Sequence, residues 1–301
     1  MADFRGVFPA IITPLTPEGE LNEAAFREVV EFNIRSGVHG FWTAGGTGES
    51  ILLSDEENTR VAEIAVDQSR GRAAIIMHVG APTTARSAKL AECAAAAGVD
   101  AICCVPPFFY SYPDDSVVEH YRVVAAAAAL PFFAYNLPQA TGVEITPDLM
   151  RKIQDRVPQL AGLKHSAPTF KNVGAFAQMG LSCFTGVGQL LLPALTIGAC
   201  GVVDGPPCVA PELWVEVWDA YHAGDMERAR AAQAKAWMVA EALFTFEFHG
   251  AAKAMLSERL GIDCGDPRPP LASLTPEQRS WIADETARLG LARVPAGQPG
   301  G

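Results

Sequence analysis

The sequence has seven cysteines, an odd number with no Cys-x-x-Cys pair. Cys93, Cys103, Cys104, Cys183, Cys200, Cys208 and Cys264 mostly lie in apolar runs, which argues against a disulfide frame or zinc site. Reduced core thiols of a cytoplasmic protein are the expectation. Positive charge is scarce as well: 23 Lys and Arg stand against 34 Asp and Glu, a net charge of −11. That balance excludes nucleic acid and anionic membranes as main partners, while leaving room for a local basic site. No apolar stretch is both long and unbroken enough to span a bilayer, and Met1 to Arg5 hold no signal-type apolar segment. Linkers, low-complexity tracts and long repeats are missing too. At 301 residues, 49% hydrophobic and 19% charged, the composition is that of a soluble α/β enzyme and rules out a disordered chain.

What is there is a repeated alternation of short β-rich runs with helical patterns. The strand candidates are residues 6–12, 38–43, 73–79, 100–105, 131–135, 160–164, 182–185 and 200–204. Between them, Asn22, Ser54, Thr83 or Thr84, and Thr146 precede helical runs as caps, and Asp55-Glu56-Glu57 place negative charge at a helix start. Eight such units of near 30 residues predict a TIM (β/α)8 barrel over residues 1–210. Only helical patterns follow, at Pro211 to Ala223, Asp225 to about Phe248, Gly250 to Leu260 and Thr275 to Leu289, so a C-terminal helical extension is expected over 211–290. Residues 291–301 read as a frayed tail. A doubly wound sheet is the alternative, though it would not use eight equal units.

A TIM barrel works at the C-terminal ends of its strands, so those ends are where chemistry should gather. The sixth candidate ends in Gly162-Leu163-Lys164-His165-Ser166, a lone ammonium at the end of an apolar run. Apolar walls strip hydration from such a group, making the neutral amine accessible for attack on a carbonyl. Taken alone, it reads first as a strand-end lysine reaching out to solvent. The second strand ends in Ala44-Gly45-Gly46-Thr47-Gly48-Glu49-Ser50, whose backbone N–H groups and Thr47 hydroxyl suit a ligand carboxylate. Tyr135 ends the fifth strand, as a proton shuttle or an aromatic plug. Pro106 to Pro113 hold an aromatic cluster suited to packing for the most part, or to a place over the pocket or in a subunit contact. His78 and His165 are expected as polar lining, and Asp204 has no second acidic partner for a metal.

Gly45-Gly46-Thr47-Gly48-Glu49, Tyr135-Asn136-Leu137-Pro138 with Thr141-Gly142, and Gly162-Leu163-Lys164 with Ser166 together resemble the dihydrodipicolinate synthase/N-acetylneuraminate lyase family of pyruvate-dependent class I aldolases. The likeness covers nearly the whole chain. It implies a TIM barrel with a helical extension, usually a homotetramer built from dimers. It implies Lys164 as the Schiff-base lysine, Tyr135 as the proton-transferring phenol, and Gly46, Thr47, Ser166, Gly205 and the Val203 carbonyl around the bound 2-oxo acid. No metal or organic cofactor is implied.

Departures from the family's patterns bear on the substrate. Gly46 replaces the first of two adjacent threonines in the lysine-biosynthetic synthases. Phe109 aligns with their relay tyrosine lent by a neighbouring subunit, with Tyr110 next to it as the candidate substrate-binding tyrosine, and Ala140 replaces the arginine that grips the aldehyde substrate's carboxylate. Against sialic-acid lyases, Gly188 and Gln189 replace an acidic pair and Gly205 a serine. The glycine turn is similar to that of the family's sugar-acid dehydratases, whereas the turn after Asn136 is not. The expected reaction is cleavage or formation of a 2-oxo acid, with pyruvate and an aldehyde as partners and a 2-keto-3-deoxy sugar acid or related substrate. Dehydration of such an acid, dihydrodipicolinate synthesis, and a 2-oxo-acid-binding protein without turnover are the alternatives.

Overall fold

The computed structural model describes residues 3–291, 293 and 294. Eight parallel strands form one sheet: β1 Gly6–Val7, β2 Gly40–Thr43, β3 Ala74–His78, β4 Ala101–Cys104, β5 Phe132–Asn136, β6 Leu160–His165, β7 Ser182–Thr185 and β8 Gly201–Val202. From β2 to β8 each pairs with its sequence neighbour, and β8 returns to β1. The remaining seam closes through His39 N–H to Val7 O (3.0 Å), Trp42 N–H to Pro9 O (2.9 Å) and Ile11 N–H to Trp42 O (3.2 Å). The expected first strand, 6–12, is thus shortened. Pro9 has no N–H to give, and only Ala10 bridges to Trp42. The expected eighth strand is shorter too, and it crosses β1 so closely that a Cβ on Gly201 would lie 1.9 Å from the Gly6 carbonyl oxygen.

Outside the sheet run α1 Glu23–Arg35, α2 Asp55–Ser69, α3 Thr84–Ala97, α4 Asp114–Ala128, α5 Pro138–Thr141, α6 Pro147–Arg156, α7 Asn172–Gln178 and α8 Leu191–Thr196. Asn22, Ser54, Thr83 and Thr146 cap their helices with side-chain oxygens, and Ser54 with Glu57 completes a capping box. Beyond the barrel lie α9 Pro211–His222, α10 Met226–Leu243, α11 Phe248–Leu260 and α12 Pro276–Arg288. The chain turns after α10, and Glu247 caps α11 by accepting from Gly250 N–H (2.9 Å). The expected tail is partly tied down. Leu291 is buried and Val294 N–H donates to Arg259 O (2.7 Å), while 292 and 295–301 lie outside the described residues.

Side-chain alternation along the strands builds two cores. Residues facing outward join the helices in one large apolar layer. Those facing inward, including Phe8, Trp42, Ile76, Phe133, Tyr135 and Phe184, fill the barrel. This inner plug is the floor on which the site stands.

Candidate active site

On β6, Leu163 belongs to the outer layer, so Lys164 one residue on faces inward. It pairs in register with Tyr135 on β5 and Phe184 on β7, both members of the barrel plug. Two residues below, Gly162 leaves room for the Phe133 ring, which a Cβ there would approach to 2.8 Å. Lys164 is 4% exposed, and its Nζ lies 4.5 Å from the Tyr135 ring centroid and 5.8 Å from that of Trp42. A buried amine thus stands over two aromatic faces, beside a phenol.

The turn after β2 is held from several sides. Ala44 and Glu49 both adopt positive φ, 51° and 60°. Thr13 Oγ1 donates to Gly48 O (2.8 Å), and Ser50 N–H donates to Gly45 O (3.2 Å). The carboxylate of Glu49 is buried, with Oε1 2.6 Å from Lys253 Nζ and Oε2 accepting Arg268 N–H at 2.6 Å. Burial lowers the Lys253 pKa, and Glu49 opposes that shift. From the same helix, α11, His249 Nε2 lies 3.0 Å from Gly46 O, with its Nδ1 2.7 Å from Glu247. The helical extension therefore grips the turn that carries Gly46 and Thr47. Thr47 is partly exposed, and its Oγ1 is 3.1 Å from where a Gly205 Cβ would stand. Phe248 would be 2.3 Å from that Cβ, so a larger residue there would push the Phe248 ring aside.

Tyr135 also borders a cleft of about 160 Å³ that opens toward the ends of β2, β3 and β4. Gly46, Ile51, Val105, Phe108, Leu137 and Ala140 contribute to its wall. His78 lines it as expected, with Nδ1 3.1 Å from Ala44 O and 3.4 Å from Ser50 Oγ. Burial drives its pKa down to about 4, so it is neutral at pH 7.

His165 departs from expectation. It lies one residue past Lys164 and therefore points to the outer layer, edge-on to Phe176. There its ring nitrogens sit 3.1 Å from Asn136 Nδ2 and 3.1 Å from Thr169 O, away from the lining of the cleft beside Tyr135. Ser166, again on the inner side, is half-buried with an unpartnered Oγ. Val203 belongs to the barrel plug. Tyr110 is 68% exposed, packed edge-on against Phe109 and Tyr112, and does not line this chain's own cleft. Asp204 accepts N–H from Gly188 (2.6 Å) and Gly205 (2.8 Å), so its carboxylate is spent on the loops around it. Among the described residues no group of three or more His, Cys, Asp or Glu side chains could hold a metal.

Some site residues escaped the sequence reading. Asn136 clamps the loop after β5, exchanging both amide bonds with the Ile145 backbone at 2.9 Å. Trp42 roofs the plug beneath Lys164, and Lys253 and His249 anchor the glycine turn. The signal for Lys253 was present: it is a lone lysine in the apolar run Ala251 to Leu256.

A model of the dihydrodipicolinate synthetase family matches residues 3–287. The chain belongs to that family. It is a pyruvate-dependent lyase. The 4-hydroxy-tetrahydrodipicolinate synthase of Methanopyrus kandleri is 35% identical over 291 residues, covering 95% of this chain and 97% of its own. Among solved structures, dihydrodipicolinate synthase from Aquifex aeolicus superposes with TM-score 0.90 at 28% identity, covering 96% of this chain and 99% of that one. The N-acetylneuraminate lyase of Proteus mirabilis superposes as well, with TM-score 0.89 at 27% identity and the same coverage. Two family members named for different reactions fit this chain equally well, so likeness fixes the family and leaves the substrate to the pocket. Among the described residues no helix is long and apolar enough to cross a membrane.

Proposed function

We propose that the protein is a class I aldolase that cleaves, or makes, a 4-hydroxy-2-oxo acid through a Schiff base on Lys164. The observation that carries this reading is the register of β5 and β6, which sets the 4%-exposed Lys164 beside Tyr135. The neutral amine adds to the ketone and water leaves, giving an iminium. Tyr135 transfers protons in that step and then takes the proton of the C4 hydroxyl. The C3–C4 bond breaks, its electron pair enters the iminium as an enamine, and the aldehyde departs. Protonation at C3 and hydrolysis release pyruvate and free the lysine. Atoms balance without redox, and the iminium itself takes up the electron pair, so the route needs no metal or organic cofactor. Thr47, Ser166, Gly46, Gly205 and the Val203 carbonyl form the subsite for the pyruvate half, with the carboxylate at the glycine turn.

A 2-keto-3-deoxy sugar acid, or a related hydroxylated or apolar-tailed 2-oxo acid, is the substrate range expected from the sequence. A homo-oligomer in the cytoplasm, with Tyr110 at a subunit contact, completes the proposal. The test is incubation with a panel of 4-hydroxy-2-oxo acids. Pyruvate and aldehyde released in equal amounts by the wild type, and by no Lys164→Met protein, support it. A dehydrated acid formed without free aldehyde would favour the dehydratase, and turnover surviving Lys164→Met would overturn the covalent route.

A further inference from the structure

The geometry points to an apolar, uncharged tail at C4 of the substrate, alkyl or aryl, in place of a polyhydroxylated or carboxylate-bearing one. This rests on the Schiff-base reading, because the tail is placed outward from Lys164 past Tyr135. The cleft there is walled by Ile51, Val105, Phe108, Leu137 and Ala140, and among the described residues no Lys, Arg, Asp or Glu lines it. Its volume of about 160 Å³ matches the scale of a dry apolar cavity of about 150 Å³ that accepts a benzene ring.

Of the polar side chains in that wall, Tyr135 is the one assigned to the C4 hydroxyl, and Thr141 and Ser50 are engaged within the fold. The Thr141 hydroxyl donates to Leu137 O (3.0 Å), with Val143 O at 3.2 Å. Ser50 faces His78 Nδ1, which also meets the Ala44 carbonyl. His78 Nε2, buried and without a partner, remains as a single acceptor. A tail carboxylate would shed water and meet no cation, and a polyol would leave most of its hydroxyls unpaired. An alkyl or aryl group loses nothing on entry.

The experiment compares kcat/KM for pyruvate release from 4-hydroxy-2-oxo acids that differ only in the tail: phenyl, alkyl, polyhydroxylated, or carboxylate-bearing. Phenyl or alkyl should exceed the other two by on the order of 100-fold. In Phe108→Ala that gap should narrow about tenfold through a higher KM for the apolar tail, measured on protein that still traps pyruvate with borohydride. Equal ranking, preference for the polyol or carboxylate, or release from none of the four while pyruvate still traps on Lys164 would overturn the tail assignment. Failure of pyruvate to trap at all would instead remove the Schiff-base reading, so the two failures are distinct.

Discussion

The two halves of the barrel mouth are built differently. On the β5 and β6 side, Lys164 and Tyr135 are paired strand residues, placed by ladder register and seated on the barrel plug. Next to it, the cleft wall comes mostly from the turn after β2, the loop after β4 and the segment after β5 that holds α5, with His78 of β3 and Tyr135 as its strand residues. Strand register tolerates little drift, because a one-residue slip turns every side chain to the other face. Loops tolerate substitution. The chemistry is thus fixed where the fold is rigid, and substrate choice sits where it can vary.

If that division holds, changes on the strand side should abolish turnover. Lys164→Arg keeps the charge but offers no amine for imine formation, so pyruvate release should fall by at least about 10³-fold with the fold intact by circular dichroism. Tyr135→Phe keeps the packing and removes the proton carrier. A loss of about 10²- to 10³-fold in kcat is expected, and an unchanged kcat would show that another group moves the proton.

The legibility of the sequence follows the same division. Ser182–Thr185 is observed as expected, and Lys164 and Tyr135 fall at strand ends as anticipated, because apolar runs and caps are local signals. His165 was misplaced by a matter of parity: an adjacent residue on a strand cannot share the face of Lys164. The Glu49–Lys253 pair joins positions about two hundred residues apart, and no local pattern announces such a pairing. The short helix Pro138–Thr141 was missed because four residues carry no periodicity, although Gly142 ends it with a positive φ of 73°.

That buried pair tests the support of the glycine turn. Glu49→Gln leaves the Lys253 ammonium buried without its counter-charge, so a stability loss of about 3–5 kcal/mol is expected in urea melts. A much smaller loss would mean that the C-terminal helices do not hold the turn through this contact.

Acid should act on the barrel at the histidines. Burial lowers both His78 and His120 from the ordinary 6.5 to about 4. Their folded-state values lie below the unfolded one, so the stability they contribute is fully present above about pH 6.5 and is lost as pH falls through about 4. The loss should reach up to about 3 kcal/mol for each group. His78→Gln should flatten part of that dependence.

The smallest effect belongs to the variable side. A Cβ at Gly46 meets nothing within 4 Å, so Gly46→Thr should fold with a stability change within about 1 kcal/mol. A large loss on equilibrium unfolding would show that the turn is less permissive than its open surroundings imply.

The central claim, that Lys164 is the covalent centre, is met most directly by borohydride reduction in the presence of pyruvate followed by peptide mass mapping. The account predicts one reduced pyruvyl adduct, on Lys164. An adduct on any other lysine, or none, would contradict it.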